Sequence, residues 1–278
     1  MKIGFIGQGW IGKNYAENFY ERGYEVVRYS QEDPHIHNKE EIKHCDIVFV
    51  AVPTPSTTDG FDDSILQSVL PYVGPNKIAV IKSTILPGTT EKMQKLFPEI
   101  TILHSPEFLT EATAKYDASN PDRNIIGYVD GRGEEAAKKV MDVLPNSAYK
   151  AIIPVNEAEL IKYAGNCWFY FKVVYINMIY DLATKMGMNY ETIKKALGFD
   201  PRIGFTHLEP VHKSGRGAGG HCFIKDFAAL SRMYREHFEG DDPTGSALLK
   251  MMEKKNIELL RQSGKDLDLL SGVYGKNI

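Results

Sequence analysis

Short apolar runs and longer amphipathic stretches alternate through the first half of the chain. The β-rich runs fall at Lys2 to Ile6, Glu25 to Tyr29, Ile47 to Val52, Ile78 to Lys82, Thr101 to His104, Asn124 to Tyr128 and Ala148 to Ile153. Between the first two, Ile11, Tyr15, Ala16 and Phe19 recur at helical spacing and predict a helix laid against the sheet. The succession predicts parallel strands joined by crossover helices. Turn residues punctuate it at Pro53, Pro55, Asp59-Gly60, Pro75-Asn76 and Pro87-Gly88.

After Pro154 nearly every segment reads as helix, which divides the chain into a first domain, 1–154, and a second, 155–278. Asn156 and Glu159 have the spacing of a capping box for the next helix. From Leu160 to Met186 the pattern is apolar on most sides, with Trp168, Phe169, Phe171, Val173, Ile176, Met178, Ile179 and Leu182 leaving a thin polar seam. A helix of this kind is buried on several faces, so it is expected to form the spine of the second domain and a homodimer interface. The expected fold class is α/β: a doubly wound parallel sheet followed by an all-α domain built on one long helix.

Composition narrows the partners. The 278 residues, 43% of them hydrophobic, suffice for a large core. A net charge of -3 gives no positive field for nucleic acid or an anionic membrane, which leaves small molecules as expected partners. The opening MKIGFIG lacks the long apolar region of a signal peptide, and no run reaches the roughly 20 apolar residues of a membrane span. Cys45, Cys167 and Cys222 are too scattered for a disulfide framework or a zinc site. A cytoplasmic protein without a structural metal is expected.

Gly7, Gly9 and Gly12 form G-x-G-x-x-G directly after the first predicted strand and at the start of a predicted helix. The glycines serve a tight turn, close approach to a pyrophosphate and close helix packing, with the helix N-terminus facing the negative charge. This predicts a dinucleotide-binding Rossmann unit with Gly7, Gly9, Trp10, Ile11 and Gly12 at the cofactor. The place of the ribose-binding acid, about 20 residues on, reads Arg28-Tyr29-Ser30, and acids arrive only at Glu32 and Asp33. A missing carboxylate beside an arginine suits the 2'-phosphate of NADP. Ser30 bonding the ribose of NAD is the other reading.

Three polar pairs share a spacing of four: Glu107 and Glu111, Lys162 and Asn166, Cys222 and Asp226. Each pair projects from one face if its segment is helical. Singly they read as a solvated face, a surface pair and a small buried hydrophobe. Cys222 stands out because it follows Gly215-Arg216-Gly217-Ala218-Gly219-Gly220 and precedes Lys225-Asp226. A flexible backbone leading into a helix start, with a cation nearby, favours a thiolate.

Six ordered blocks resemble the signature of the UDP-glucose/GDP-mannose dehydrogenase family. They are Ala51-Val52-Pro53-Thr54-Pro55, Lys82-Ser83-Thr84, Ser105-Pro106-Glu107-Phe108-Leu109-Thr110-Glu111, Asn120-Pro121-Asp122-Arg123, Glu159-Leu160-Ile161-Lys162-Tyr163 through Asn166, and Gly217 through Asp226. The resemblance implies oxidation of a sugar C6 alcohol to a carboxylate with two molecules of NAD, through a thiohemiacetal and a thioester on Cys222. It implies Lys162 and Asn166 as donors to the developing oxyanion, and Asp226, or Glu107 through a water held by Thr84, as the base. It further implies Val52, Pro53, Thr54, Thr84, Glu111 and Lys225 at the cofactor. The substrate falls to Phe108, Leu109, Lys162, Asn166, Gly217 and Gly219, with Arg202 reaching a neighbouring subunit's substrate.

Two departures from that family stand out. The connector between Ser30 and Asp46 is short, and the sequence stops soon after Ala247 to Leu260, short of the family's third, C-terminal nucleotide-binding domain. Two other classes compete. A β-hydroxyacid dehydrogenase would use Lys162 and Asn166 but has no need of a nucleophilic cysteine, and a non-catalytic dinucleotide-binding protein would bind cofactor without turnover.

Overall fold

A computed structural model describes residues 1–238 and 240–275. The chain divides into two compact units, Met1–Pro55 with Asp62–Lys162, and Ser56–Phe61 with Tyr163–Ile278.

The first unit holds β1 (Lys2–Ile6), α1 (Trp10–Glu21), β2 (Glu25–Tyr29), the short α2 (Lys39–Ile42) and β3 (Ile47–Val50). The hairpin β4 (Ser56–Thr57) and β5 (Gly60–Phe61) that follows belongs to the second unit. The first then continues with α3 (Ser64–Val69), β6 (Ile78–Ile81), α4 (Thr89–Leu96), β7 (Thr101–His104), α5 (Ala114–Ser119), β8 (Arg123–Tyr128), α6 (Gly131–Val143) and β9 (Tyr149–Pro154). The seven strands pair in the order β2-β1-β3-β6-β7-β8-β9. From β1 the chain runs outward to β2 and then returns to β3 on the other side of β1. This reversal opens a crevice at the carboxyl ends of β1 and β3, where doubly wound sheets hold ligands.

The strands form where apolar runs are unbroken, and β3, for example, is buried along its whole length. Phe5 stacks on Phe49 at 5.1 Å between ring centroids, and Phe19 of α1 packs against Phe49 at 5.2 Å. The helix thus covers the sheet as its spacing predicts. The strand ends shift slightly: β3 stops at Val50 and β6 at Ile81, leaving Val52 and Lys82 in the loops beyond. The sheet departs from purely parallel, because β7 and β8 pair antiparallel through His104 and Gly127. The chain between them carries only the six-residue α5, which packs on α1 instead of crossing over the sheet.

One helix, α7 (Val155–Lys185), supplies the last residues of the first unit and the first of the main segment of the second. It is followed by α8 (Tyr190–Gly198), the hairpin β10 (Val211–His212) and β11 (Gly215–Arg216), α9 (Gly220–Phe238), α10 (Pro243–Ser263) and α11 (Leu267–Tyr274). The second unit is therefore helical but for two small hairpins. Tyr170 of α7 stacks on Phe227 of α9 at 3.8 Å, both buried. Asp242 caps α10 by accepting from the Gly245 amide, and Gly264 ends that helix with a φ of 68°.

Two expectations for α7 are corrected. Asn156 and Glu159 do not form a capping box, because the helix has already begun at Val155. Glu159 instead accepts from the amides of Gly88 (2.7 Å) and Thr90 (2.9 Å) and from the Thr90 hydroxyl (2.6 Å), and Asn156 donates to Glu91. The N-cap of α4 is Gly88, which has no side chain to satisfy those amides, so a carboxylate from α7 does it. The burial of α7 on several faces holds only in part. Val173 and Ile176 are buried, but Trp168, Tyr175, Met178 and Leu182 lie exposed.

Candidate functional site

The glycine turn after β1 is shaped as its motif predicts. Gly7 has a φ of 89°, and a side chain there would strike the Ala51 carbonyl. A side chain at Gly12 would strike the Gly7 carbonyl, whereas Gly9 faces open space. Gly7 and Gly12 thus serve packing, and Gly9 leaves room for a ligand. Gly9 is the N-cap of α1, with no side-chain cap and no acid in the first turn. The amides around Trp10 and Ile11 are therefore placed to receive an anion.

Around this turn, Ser30 is engaged with its own loop, its hydroxyl donating to the Glu32 carbonyl at 2.9 Å. Arg28 turns back onto Glu17 of α1, 2.8 Å away. The arginine that suggested a 2'-phosphate thus already has a carboxylate. The loops after β3 and β6 are tied together. The Ser83 hydroxyl donates to the Val52 carbonyl at 2.7 Å, and the Thr54 hydroxyl donates to that of Thr84 at 2.7 Å. Thr54 is buried and Pro53 exposed in this arrangement.

Glu107 and Lys162 form a buried pair, with 6% and 7% of their side chains exposed. The Lys162 ammonium donates to Glu107 Oε1 and to the Glu107 carbonyl, both at 2.8 Å, and Glu107 Oε2 accepts from the Leu109 amide. The Phe108 ring lies 3.7 Å from the Arg123 guanidinium carbon and 5.7 Å from Lys162 Nζ. Glu107 and Glu111 do not share a helical face. Residues 105–110 have no regular structure, Glu107 is buried and Glu111 exposed. Pro106 lacks an amide and disfavours helical backbone before it, and the Glu107 carboxylate is taken up by its own loop and by Lys162.

In the second unit Cys222 is exposed on the first turn of α9, whereas Cys45 and Cys167 are buried. Burial pushes the Cys45 thiol up to about 11 and the Cys167 thiol higher still. Asp226, one turn beyond Cys222, is 1% exposed. Its two oxygens accept from Asn166 Nδ2 at 2.6 Å and from Lys225 Nζ at 2.7 Å. Asn166 lies one turn after Lys162 on α7, so the spacing of four holds for both helical pairs.

The glycine-rich stretch before α9 is held in place, contrary to its reading as flexible backbone. Arg216 donates to Asn177 Oδ1 at 2.8 Å and to Asp181 at 2.6 Å on α7. Gly217 has a φ of 90°. A side chain at Gly219 would collide with the Asp266 carboxylate, so glycine is needed there for packing. Arg202 is solvent-facing, 87% exposed, and doubly bonded to Asp200.

Residues 33–144 match the UDP-glucose/GDP-mannose dehydrogenase family, NAD binding domain, and residues 156–256 match the central domain of the same family. The chain belongs to this family. The UDP-glucose 6-dehydrogenase of Rhizobium meliloti is 31% identical over 85% of this chain and 64% of its own length. That of Rickettsia bellii is 32% identical over 86% and 56%. The chain thus spans about six tenths of the length of these curated relatives. The UDP-glucose dehydrogenase structure from Pyrobaculum islandicum superposes with a TM-score of 0.79 at 26% identity, over 94% of this chain and 68% of that one.

In this dehydrogenase-family chain, sequence reasoning did not foresee the burial of two groups, Lys82 and Glu159. Lys82 lies 3.2 Å from the Ser105 hydroxyl and 4.4 Å from the Tyr15 ring centroid, and burial pushes it down to about 7 against the pull of Glu107. Its only signal in sequence is a lysine ending an apolar run. Glu159 was noticed, but as a local cap. Among the described residues no helix is long and apolar enough to cross a membrane.

Proposed function

We propose that this protein is a nucleotide-sugar dehydrogenase that oxidises a sugar C6 alcohol to the carboxylate through covalent attachment to Cys222. The observation that carries the reading is the start of α9, where exposed Cys222 precedes by one turn a buried Asp226 bound by Asn166 and Lys225. When bound, the nicotinamide of NAD accepts a hydride in each of the two oxidations. The groove residues fit such a cofactor: Gly9 leaves open space before an uncapped α1, and Arg28, spent on Glu17, favours NAD over NADP.

The side chains of the protein divide the work. After the first oxidation the Cys222 thiolate attacks the aldehyde carbon, and the oxygen takes up a proton to give a thiohemiacetal. Loss of that proton and of the second hydride leaves a thioester, and water then releases the carboxylate and the thiol. Asn166 and Lys162, on one face of α7, supply donors to the oxygen as its charge develops. Asp226 accepts the proton of the attacking groups, and Glu107, with Thr84 holding a water, is the second base. Phe108 and Leu109 flank the substrate sugar, Glu111 and Lys225 the cofactor.

We also propose a homodimer. Trp168, Tyr175, Met178 and Leu182 form an exposed ridge on α7, and a two-fold pair of such ridges would bury it and bring Arg202 to the partner's substrate. A free thiol nucleophile is best preserved in a reducing compartment, which supports the cytoplasm as the place of the reaction.

The test counts reduced cofactors formed per substrate, with NAD and NADP compared over UDP- and GDP-sugars, for wild type and Cys222→Ala. Two per substrate in the wild type and at most one in the variant are expected. One per substrate with an indifferent variant would instead support the β-hydroxyacid reading.

A further inference from the structure

The loop that delivers Cys222 has few side chains of its own to hold it, yet seven hydrogen bonds reach its backbone from one stretch of chain, five of them no longer than 3.0 Å. Asn256 of α10 accepts from the Ala218 amide at 2.7 Å and donates to the Ala218 carbonyl at 2.9 Å. The Ser263 hydroxyl accepts from the Arg216 amide at 3.0 Å. Lys265 Nζ, buried, donates to the Gly217 carbonyl at 3.0 Å, and Asp266 Oδ2 accepts from the Gly220 amide at 2.7 Å. Gly220 is the first residue of α9, two before Cys222.

The loop's composition answers these contacts. A side chain at Gly215 would come within 2.5 Å of Ser263 Oγ, and one at Gly217 within 2.9 Å of Asn256 Oδ1. The glycines let the backbone lie directly on the residues that hold it. The sharp end of α10 at Gly264, followed by Asp266 at a φ of 53°, turns Lys265 and Asp266 back onto the loop. Packing of α11 on α9 and α10 through Ile224, Leu260 and Leu270 closes the arrangement. Residues 263–266 lie beyond the segment that matches the family's central domain.

We propose that the turn at 263–266, together with Asn256, is a positioning device that fixes the 215–220 loop and the first turn of α9, and so sets the reactivity of Cys222. These side chains act through the backbone of the loop. The role as a positioner of a nucleophile rests on the thioester reading, but the device itself is testable without turnover.

The experiment measures the rate of Cys222 alkylation by iodoacetamide against pH in the full chain, read by mass spectrometry of the Cys222 peptide. The titratable groups nearest Cys222 along the chain are His221, Lys225 and Asp226, and Lys265 and Asp266 of the turn hold the backbone just before it. Asp266→Asn removes the charge and keeps an acceptor for the Gly220 amide, whereas Asp266→Ala removes both, so their difference isolates the hydrogen bond. We expect the alanine variant and Lys265→Met to alkylate about 3- to 10-fold more slowly near neutral pH than the asparagine variant, as the frayed helix start ceases to favour the thiolate. Equal rates in all three variants and the wild type would overturn the proposal. Should a variant fail to fold, hydrogen exchange of the wild type decides: protection of the Ala218 and Gly220 amides comparable to mid-α9 supports the device, and free-loop exchange overturns it. A responsive thiol in a protein that oxidises no nucleotide sugar would count against the thioester reading alone.

Discussion

Lys162 and Glu107 take opposite charges out of water, and each satisfies the other. Removing one partner leaves a buried charge without its counterion, which costs about 3–5 kcal/mol. Lys162→Met should therefore lower the urea midpoint sharply, and Glu107→Leu in the same chain should restore much of the loss. If the single variant unfolds at the wild-type midpoint, the pair is not buried in solution as described. Sequence displayed both residues inside recognisable blocks, but not their pairing, because 55 positions separate them and periodicity speaks only of neighbours. The same limit explains Glu107 and Glu111, where equal spacing suggested a shared face but residues 105–110 form no helix. The helix start at Cys222 was legible from the glycines before it, whereas its exposure was not, since alone it reads as a small buried hydrophobe.

At the scale of elements, α4 depends on α7 for its cap. Burial raises Glu159 from 4.5 to about 7, opposed by the donors of Thr90 and Gly88. The folded state thus holds the proton more tightly than the unfolded chain. Its contribution to stability is complete below about pH 4.5 and is lost as pH rises through about 7. The stability of the wild type relative to Glu159→Gln should accordingly fall across that interval, by up to about 3 kcal/mol. Urea titrations of both proteins at about pH 5 and about pH 8 would show it, and a constant difference would refute it. Most strands were legible because each is built on a short apolar run. The antiparallel pairing of β8 was not, since an apolar run carries no arrow. The tertiary cap of α4 was hidden for a related reason: Asn156 and Glu159 satisfied a local rule that a more distant pair of amides outcompeted.

For the whole molecule, the long helix was legible as apolar, and one of its apolar faces lies exposed in the single chain. Its outer residues Trp168, Tyr175 and Leu182 recur every seven positions, a spacing that suits a partner helix as well as a core. Trp168→Glu with Met178→Glu should convert a dimer to a monomer in sedimentation while leaving the melting of each chain within about 1 kcal/mol, as exposed sites allow. A wild type that sediments as a monomer at micromolar concentration would dismiss the dimer. One further consequence follows from the hairpin of Ser56–Phe61, which lies early in the chain yet belongs with the later unit. Its Thr58 carbonyl accepts from Arg232 on α9, and β4 packs on α9 and α11. A gene fragment opening at Tyr163 would therefore encode an incomplete body. Recombination that exchanged the helical half between relatives would have to transplant two separate stretches of coding sequence, so the family's modules can be inherited together more readily than they can be shuffled.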